Sequence, residues 1–361
     1  MFLIERLVGV GLYSLVLIIM CIFIKNTNEK YLKNILNIYL IILVVFAFLF
    51  VPPPGSDLIR INKILELYKN YSLSNIIDEM QITSAPIAYF VYWAVAKLGI
   101  KGLISAISSF IVFKNLFYII NDYSLKNKIS RGNIALVIFI VMSAGFFMET
   151  ISTIRDMIAY TIVCRCFYDE FYNNKSIFKH IIFYAIAFLI HQSVIAFIGI
   201  RFIYYVLYEK KNKLIKKILL ILMTLIFMII MSKYILMTAE KFNLYYNSDT
   251  YSLLWEYIKG GLELFVLFII FLKNKKITKN NYYKYNILIA ISSIVLMSEY
   301  SIFVRFTFFN LFMAMPIMLE TIEKAINKRG KTGLLFISLI ILFLACSRCD
   351  LSSLKFFVLG G

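Results

Sequence analysis

Residues 34–50 read NILNIYLIILVVFAFLF and run straight into Val51-Pro52-Pro53-Pro54-Gly55. A helix needs about 20 predominantly apolar residues to cross roughly 30 Å of hydrocarbon. Three consecutive prolines cannot continue such a helix, because each lacks an N–H and clashes with the preceding turn. The segment therefore reads as a membrane span with a sharp end.

The same pattern recurs in both directions. Apolar blocks lie at about 7–24, 102–120, 133–148, 156–170, 218–236, 258–272, 286–303, 306–319 and 333–345. The stretch 180–208 is interrupted by His191-Gln192-Ser193 and reads as a tight helical hairpin with two short arms. The first block has no small-residue cleavage signature, so it reads as a retained span rather than a signal peptide. Hydrophobic residues make up 61% of the 361 and charged residues only 16%, against about 45–50% and about 25% in soluble domains. Alternating ten-residue strands are absent, which argues against a β-barrel. The expected fold is all-α, a polytopic integral membrane helical bundle forming one transmembrane domain over 1–361.

The formal net charge of +18 would suggest nucleic acid for a soluble protein. Here the lysines gather in short loops between spans, as the positive-inside bias expects, and no nucleic-acid partner is implied. Basic loops occur around Lys25–Lys33, Lys126–Arg131, Lys175–Lys179, Lys210–Lys217, Lys273–Lys279 and Lys324–Lys331. Placing them all in the cytoplasm puts 51–83, 149–155, 191–193, 238–257 and 304–306 on the outer side. That arrangement is consistent except at 84–98 and 102–120, two apolar segments where an odd number of crossings is required. Segment 84–98 is expected to be re-entrant or interfacial, which leaves about twelve spans. The preceding 55–82 stretch has the mixed charge of an amphipathic surface helix. The five scattered cysteines form no disulfide framework. The chain also lacks a metal-ligand motif, a P-loop and a nucleophile elbow, so neither metal nor cofactor is expected.

Ionisable groups at or near spans are costly and are functional candidates by default. The outer side collects Asp57, Arg155, Asp156, His191 and Arg305, with Glu299 just before Arg305. Each also has a structural reading. Asp57 suits a turn after the prolines, Arg155-Asp156 an interfacial helix start, His191 a satisfied loop, and Arg305 a pairing with Glu299 or an interfacial position. Their shared side carries more weight than any single position. Two guanidinium forks suit a diphosphate or another polyanion, and a histidine with a carboxylate can deprotonate or orient a sugar hydroxyl. Arg165, further along the span after Arg155, reads as an inner-interface contact to anionic lipid headgroups.

These positions resemble the EpsG-like branch of the bacterial Wzy-type polysaccharide polymerases, which build exopolysaccharide, capsule or O-antigen chains. The likeness rests on Gly55-Ser56-Asp57 with Ile61 and Tyr68, Ala85-Pro86, Ile154-Arg155-Asp156-Met157-Ile158-Ala159, His191-Gln192-Ser193, and Arg305-Phe306 with Pro316. It extends over about 1–330. The chain departs from the family pattern at Asp156, where Gln is usual, at Gln192, where Pro is frequent, at Ala85, where Glu is frequent, and at Leu58 or Ile59, where an aromatic is common.

The resemblance implies a membrane glycosyltransferase of the bacterial plasma membrane. It would polymerise undecaprenyl-diphosphate-linked oligosaccharide repeat units at the outer face, with a flippase and a chain-length regulator as partners. Arg155 and Arg305 would then hold the departing diphosphate. His191 would activate the acceptor hydroxyl, and Asp57 would bind sugar or serve as an alternative base. Asp156, Glu299, Tyr246 and Trp255 are further substrate-binding candidates, the last two in the outer segment 238–257. Two other classes fit the same sequence: a ligase that moves glycan from this carrier to another acceptor, and a transporter or flippase of a lipid-linked or anionic solute. Transporters generally carry inverted repeats with polar groups at the bilayer midplane, and neither feature is visible here.

Overall fold

A computed structural model describes residues 2–52, 57–142, 146–208, 280–295, 305–307 and 309–324, with isolated positions elsewhere. The regular structure of these residues is entirely helical. Among the described residues, three helices are long and apolar enough to cross a membrane: Glu29–Phe48, Gly102–Asn127 and Arg305–Lys324. Shorter apolar helices include Gly11–Asn26, Pro86–Leu98, Arg131–Val141, Ile181–Ile190 and Gln192–Arg201. The expected spans at 218–236, 258–272 and 333–345 fall outside the described residues apart from isolated positions.

Helix α1 (Phe2–Asn26) leads through a short 3-10 turn into α2 (Leu32–Phe48). One stripe of α2, formed by Leu32, Leu36, Tyr39, Leu40, Leu43, Phe46 and Ala47, is buried. The opposite stripe, with Ile38, Ile41, Val45 and Phe48, is exposed and equally apolar. A helix apolar all round suits a hydrocarbon surrounding rather than water. The buried stripe packs against α6 (Gly102–Asn127). The two backbones approach so closely at Gly102 that an added Cβ would lie 2.2 Å from the Phe48 carbonyl oxygen.

The stretch expected to hold one amphipathic helix forms two, α3 (Asp57–Tyr68) and α4 (Leu73–Ile82). The break follows from a capping box. The Asn75 N–H donates to Ser72 Oγ at 3.2 Å, and the Ser72 N–H donates to Asn75 Oδ1 at 3.0 Å. These bonds satisfy amide donors left free at a helix start.

Helix α5 (Pro86–Leu98) packs on both α3 and α4 and also touches α10. It ends at Gly99 in the left-handed region, at φ 71°, which glycine adopts without steric cost. Lys97 Nζ donates to the Lys69 carbonyl at 2.7 Å, and Lys101 pairs with Glu66 at 2.7 Å. The turn after α5 is thereby tied to the end of α3, beside the Phe48 end of α2.

Next come α7 (Arg131–Val141), α8 (Phe147–Ser152), α9 (Ile154–Phe167), α10 (Ile181–Ile190), α11 (Ile195–Tyr208), α12 (Asn281–Val295) and α13 (Arg305–Lys324). Helix α9 is extended by a π turn at Tyr168–Tyr172 that carries two buried carboxylates, Asp169 and Glu170. At this lysine-rich end, Glu170 Oε2 accepts from Arg201 Nε at 2.7 Å and Glu170 Oε1 from the Tyr184 hydroxyl at 2.5 Å. Asp169 pairs with Lys175 at 2.9 Å and accepts from the Tyr118 hydroxyl at 2.9 Å. Nearby, Tyr123 and Tyr283 both donate to Glu320 at 2.8 Å, joining α6, α12 and α13. Arg165 donates to Asn115 at 3.0 Å and lies over the Tyr118 ring.

Candidate functional site

The opposite end of α9 gathers the candidate groups. Thr153 breaks the chain between α8 and α9, with φ −104° and ψ 53°, outside helical geometry. Helix α9 restarts there, so Arg155 and Asp156 occupy its first turn. A carboxylate is favoured at that place by the helix dipole. Facing them, α10 stops at His191, whose extended backbone (φ −151°, ψ 118°) opens the 3-10 turn Gln192–Val194 leading into α11. The interruption expected within 180–208 is present, with two short helical arms meeting at His191.

Asp156 Oδ1 lies 2.8 Å from His191 Nδ1. The same nitrogen is 2.6 Å from Ser193 Oγ, and that hydroxyl is 3.1 Å from the Tyr160 hydroxyl, one turn along α9 from Asp156. Nδ1 also accepts from the Ser193 backbone N–H at 3.3 Å, so a carboxylate, a hydroxyl and an amide all meet at this one ring nitrogen. Both side chains are mostly covered, with 14% of His191 and 24% of Asp156 exposed.

The charges of Arg155 and Arg305 both act on Asp156 and on His191. Arg305 also acts on Tyr160, and Arg155 on the buried Tyr92 of α5. Arg155, Asp156, His191 and Arg305 thus form one electrostatic group, drawn from α9, the α10–α11 turn and the start of α13.

Asp57 stands further out. It lies in the first turn of α3, with 52% of its side chain exposed, and pairs with Arg60 at 3.3 Å. Its link to the group is its charge acting on Tyr92. Glu299, Tyr246 and Trp255 lie outside the described residues. Sequence reasoning held Tyr160 as a weaker candidate than the charged groups, gave Ser193 no role beyond its motif and did not single out Tyr92. Tyr92 is one aromatic among several in an apolar helix, and no spacing rule separates it from the others. Among the described residues, no cluster of three or more His, Cys, Asp or Glu is set to hold a metal ion.

Two guanidinium charges beside a partly covered histidine–carboxylate pair can neutralise an oxyanion and move a proton in the same place. No curated protein and no solved structure matches the chain. The EpsG family does match, over residues 54–356. That range takes in α3 to α13, and with them Asp57, Arg155, Asp156, His191 and Arg305 alike. On a match of this extent, the chain belongs to the EpsG family.

Proposed function

We propose that this protein polymerises undecaprenyl-diphosphate-linked oligosaccharide repeat units into a surface polysaccharide by glycosyl transfer at the outer face of the bacterial plasma membrane. Membership of the EpsG family supports the general role in polysaccharide polymerisation. The observation that carries the chemistry is the Asp156–His191 pair within the field of two arginines.

In this reading the growing glycan, on its diphosphate carrier, is the donor, and a hydroxyl of one further lipid-linked repeat unit is the acceptor. The acceptor oxygen bonds to the anomeric carbon as that carbon's bond to the diphosphate oxygen breaks. His191 receives the hydroxyl proton, and the Asp156 carboxylate beside it stabilises the imidazolium that forms. The leaving diphosphate gains negative charge as the bond breaks, so Arg155 and Arg305 stabilise the transition state more than the bound donor. The diphosphate is neutralised by these side chains.

The topology follows the charge pattern, with the Asp156–His191 end outside and the end bearing Lys126, Arg131 and Lys175 inside. About twelve spans cross the bilayer. Helix α5 is a non-crossing segment that enters from α4 and returns beside α3, consistent with its ties to Lys69 and Glu66.

The test is a product ladder. Purified protein in nanodiscs is given the extracted lipid-linked repeat unit, as wild type and as Arg155→Ala, Arg305→Ala and His191→Ala. A ladder from wild type that each substitution lowers at least 100-fold is the expected result. A single transfer product without a ladder would replace the polymerase with a ligase. Movement of the lipid across the bilayer with no new glycosidic bond would replace it with a transporter.

A further inference from the structure

Three groups crowd His191 Nδ1, and they do not ask the same of it. The Ser193 amide, 3.3 Å away, can only donate, so it suits a nitrogen without a proton. The Asp156 carboxylate, 2.8 Å away, carries a charge that suits a nitrogen with one. The Ser193 hydroxyl, 2.6 Å away, can donate or accept and suits either. These three occupy Nδ1, so a substrate hydroxyl meets the ring at Nε2. That nitrogen can accept a proton only when the ring's own proton sits on Nδ1.

Direction decides which neighbour takes that Nδ1 proton. Asp156 Oδ1 is buried and receives no hydrogen bond among the described residues, so its contact is that of an ion pair out of line with the N–H. Ser193 Oγ does meet Nδ1 in hydrogen-bond geometry. Capping of the 3-10 turn Gln192–Val194 accounts for the amide contact, and any residue at 193 except proline would supply that amide. Capping does not account for the hydroxyl, nor for the phenol behind it. Tyr160 Oη lies 3.1 Å from Ser193 Oγ, on a ring held edge-to-face by Phe197 and Phe309 at 5.7 and 6.0 Å between centroids. A serine oxygen has one proton and two lone pairs. It can take the Nδ1 proton while its own O–H turns to the phenol oxygen. It can also turn back to a bare Nδ1 and accept from the phenol.

We propose that Ser193 is the positioning residue of His191, its hydroxyl holding a protonated Nδ1 so that Nε2 receives the acceptor's proton, with the Tyr160 hydroxyl as its support. No bond to the serine forms or breaks; its O–H only rotates. This deepens the proposed function and rests on it. Asp156 stabilises the imidazolium by charge while Ser193 fixes where its proton points, so the two side chains have separable roles. In Ser193→Ala the amide cap remains, but the Nδ1 proton loses its in-line acceptor. The ring then favours a bare Nδ1 with its proton on Nε2, and that form cannot take a proton from substrate.

The chain has two histidines, so nitrogen-15 histidine labelling reads the ring directly, with His191→Gln identifying its signal by loss. The full-length protein in nanodiscs is measured without substrate, at a pH where the imidazole is neutral. Wild type and Ser193→Thr should show the proton on Nδ1. Ser193→Ala should move it towards Nε2, and Tyr160→Phe should do so by less, both melting with wild type. Given the lipid-linked repeat unit, Ser193→Ala should lower kcat about 10-fold with KM within about twofold, and threonine should restore it. The same Nδ1 signal in Ser193→Ala as in wild type overturns the proposal, as does a bare Nδ1 in wild type. Equal loss of turnover in the threonine and alanine variants also overturns it, since the hydroxyl would then not be what matters. If wild type forms no polymer, the proposed function fails, and the tautomer comparison, which needs no substrate, still decides whether Ser193 holds the ring.

Discussion

Asp156 Oδ1 and His191 Nδ1, 2.8 Å apart, join the first turn of α9 to the end of α10. The pair also couples two helices that the chain connects only through the loop at the opposite end. Burial pulls the His191 pKa below its ordinary value, and the Asp156 carboxylate works against that pull. In Asp156→Asn the side chain keeps its size, but the counteracting charge is gone. A base must be deprotonated to act, so the acid limb of the rate profile should move to lower pH, and turnover should fall by roughly 10–100-fold. A profile measured from pH 5 to 9 checks this. An unmoved limb would disconnect Asp156 from His191 in catalysis.

At the other end of the same helices, Glu170 and Arg201 form a pair with only 1% and 3% of their side chains exposed. Removing Arg201 leaves the buried Glu170 carboxylate with only His180, 3.2 Å away, and the Tyr184 hydroxyl against it, and breaking a buried pair costs up to about 3–5 kcal/mol. Arg201→Leu should therefore lower thermal stability in detergent substantially, whereas Glu170→Leu combined with Arg201→Leu should lose much less. A double variant less stable than Arg201→Leu by the full loss that Glu170→Leu causes alone would show that the partners stabilise independently.

Gly102 marks the closest approach of α2 and α6. A Cβ there would meet the Phe48 carbonyl oxygen at 2.2 Å, and main-chain oxygen cannot swing aside as a side chain can. Gly102→Ala should cost about 1–3 kcal/mol through enforced separation of the helices. Gly132→Ala is the control, because nothing lies within 4 Å of its Cβ position. Equal melting temperatures for the two variants would contradict the packing described.

Glu66 bridges Lys69 at 2.8 Å and Lys101 at 2.7 Å, and hydrogen bonds from the two ammonium groups, Lys101 first, hold its pKa down at about 2. A depressed carboxylate stabilises the fold above its unfolded pKa, near 4.5, and that contribution is lost as pH falls towards 2. The pair of bridges is solvent-exposed, so the effect is small and salt-sensitive. The melting-temperature difference between wild type and Glu66→Gln should be constant from pH 8 to 6 and shrink below pH 4.5. A difference that grows on acidification would mean that Glu66 is not held ionised by these lysines.

The all-helical character was legible in residues 34–50 alone, because bilayer thickness imposes a one-dimensional length on apolar segments. The odd crossing requirement marked 84–98 as a segment that loop charges alone do not place. In the structure, α5 runs beside α3 and ends against Lys69 and Glu66, contacts that loop charges cannot reveal. The split of 55–82 into α3 and α4 was encoded in Ser72 and Asn75, but a capping box inside a polar stretch is easily passed over. Arg155, Asp156, His191 and Arg305 were each visible as costly polar groups at the ends of apolar segments. Their number and shared side were readable from lysine bias, whereas Tyr92 had no mark in the sequence at all.

The sequence by itself determined that the chain is helical, membrane-bound in character and polar at one set of helix ends, since hydrophobic length and charge placement are properties of consecutive residues. Only the tertiary structure decided that Asp156 faces His191, that Tyr160 reaches Ser193, that the Tyr92 hydroxyl lies buried within the field of Arg155, and that Asp57 stands apart. Those relationships depend on the rotation and register of one helix against another. Packing of side chains far apart in sequence sets both, and no local pattern records them.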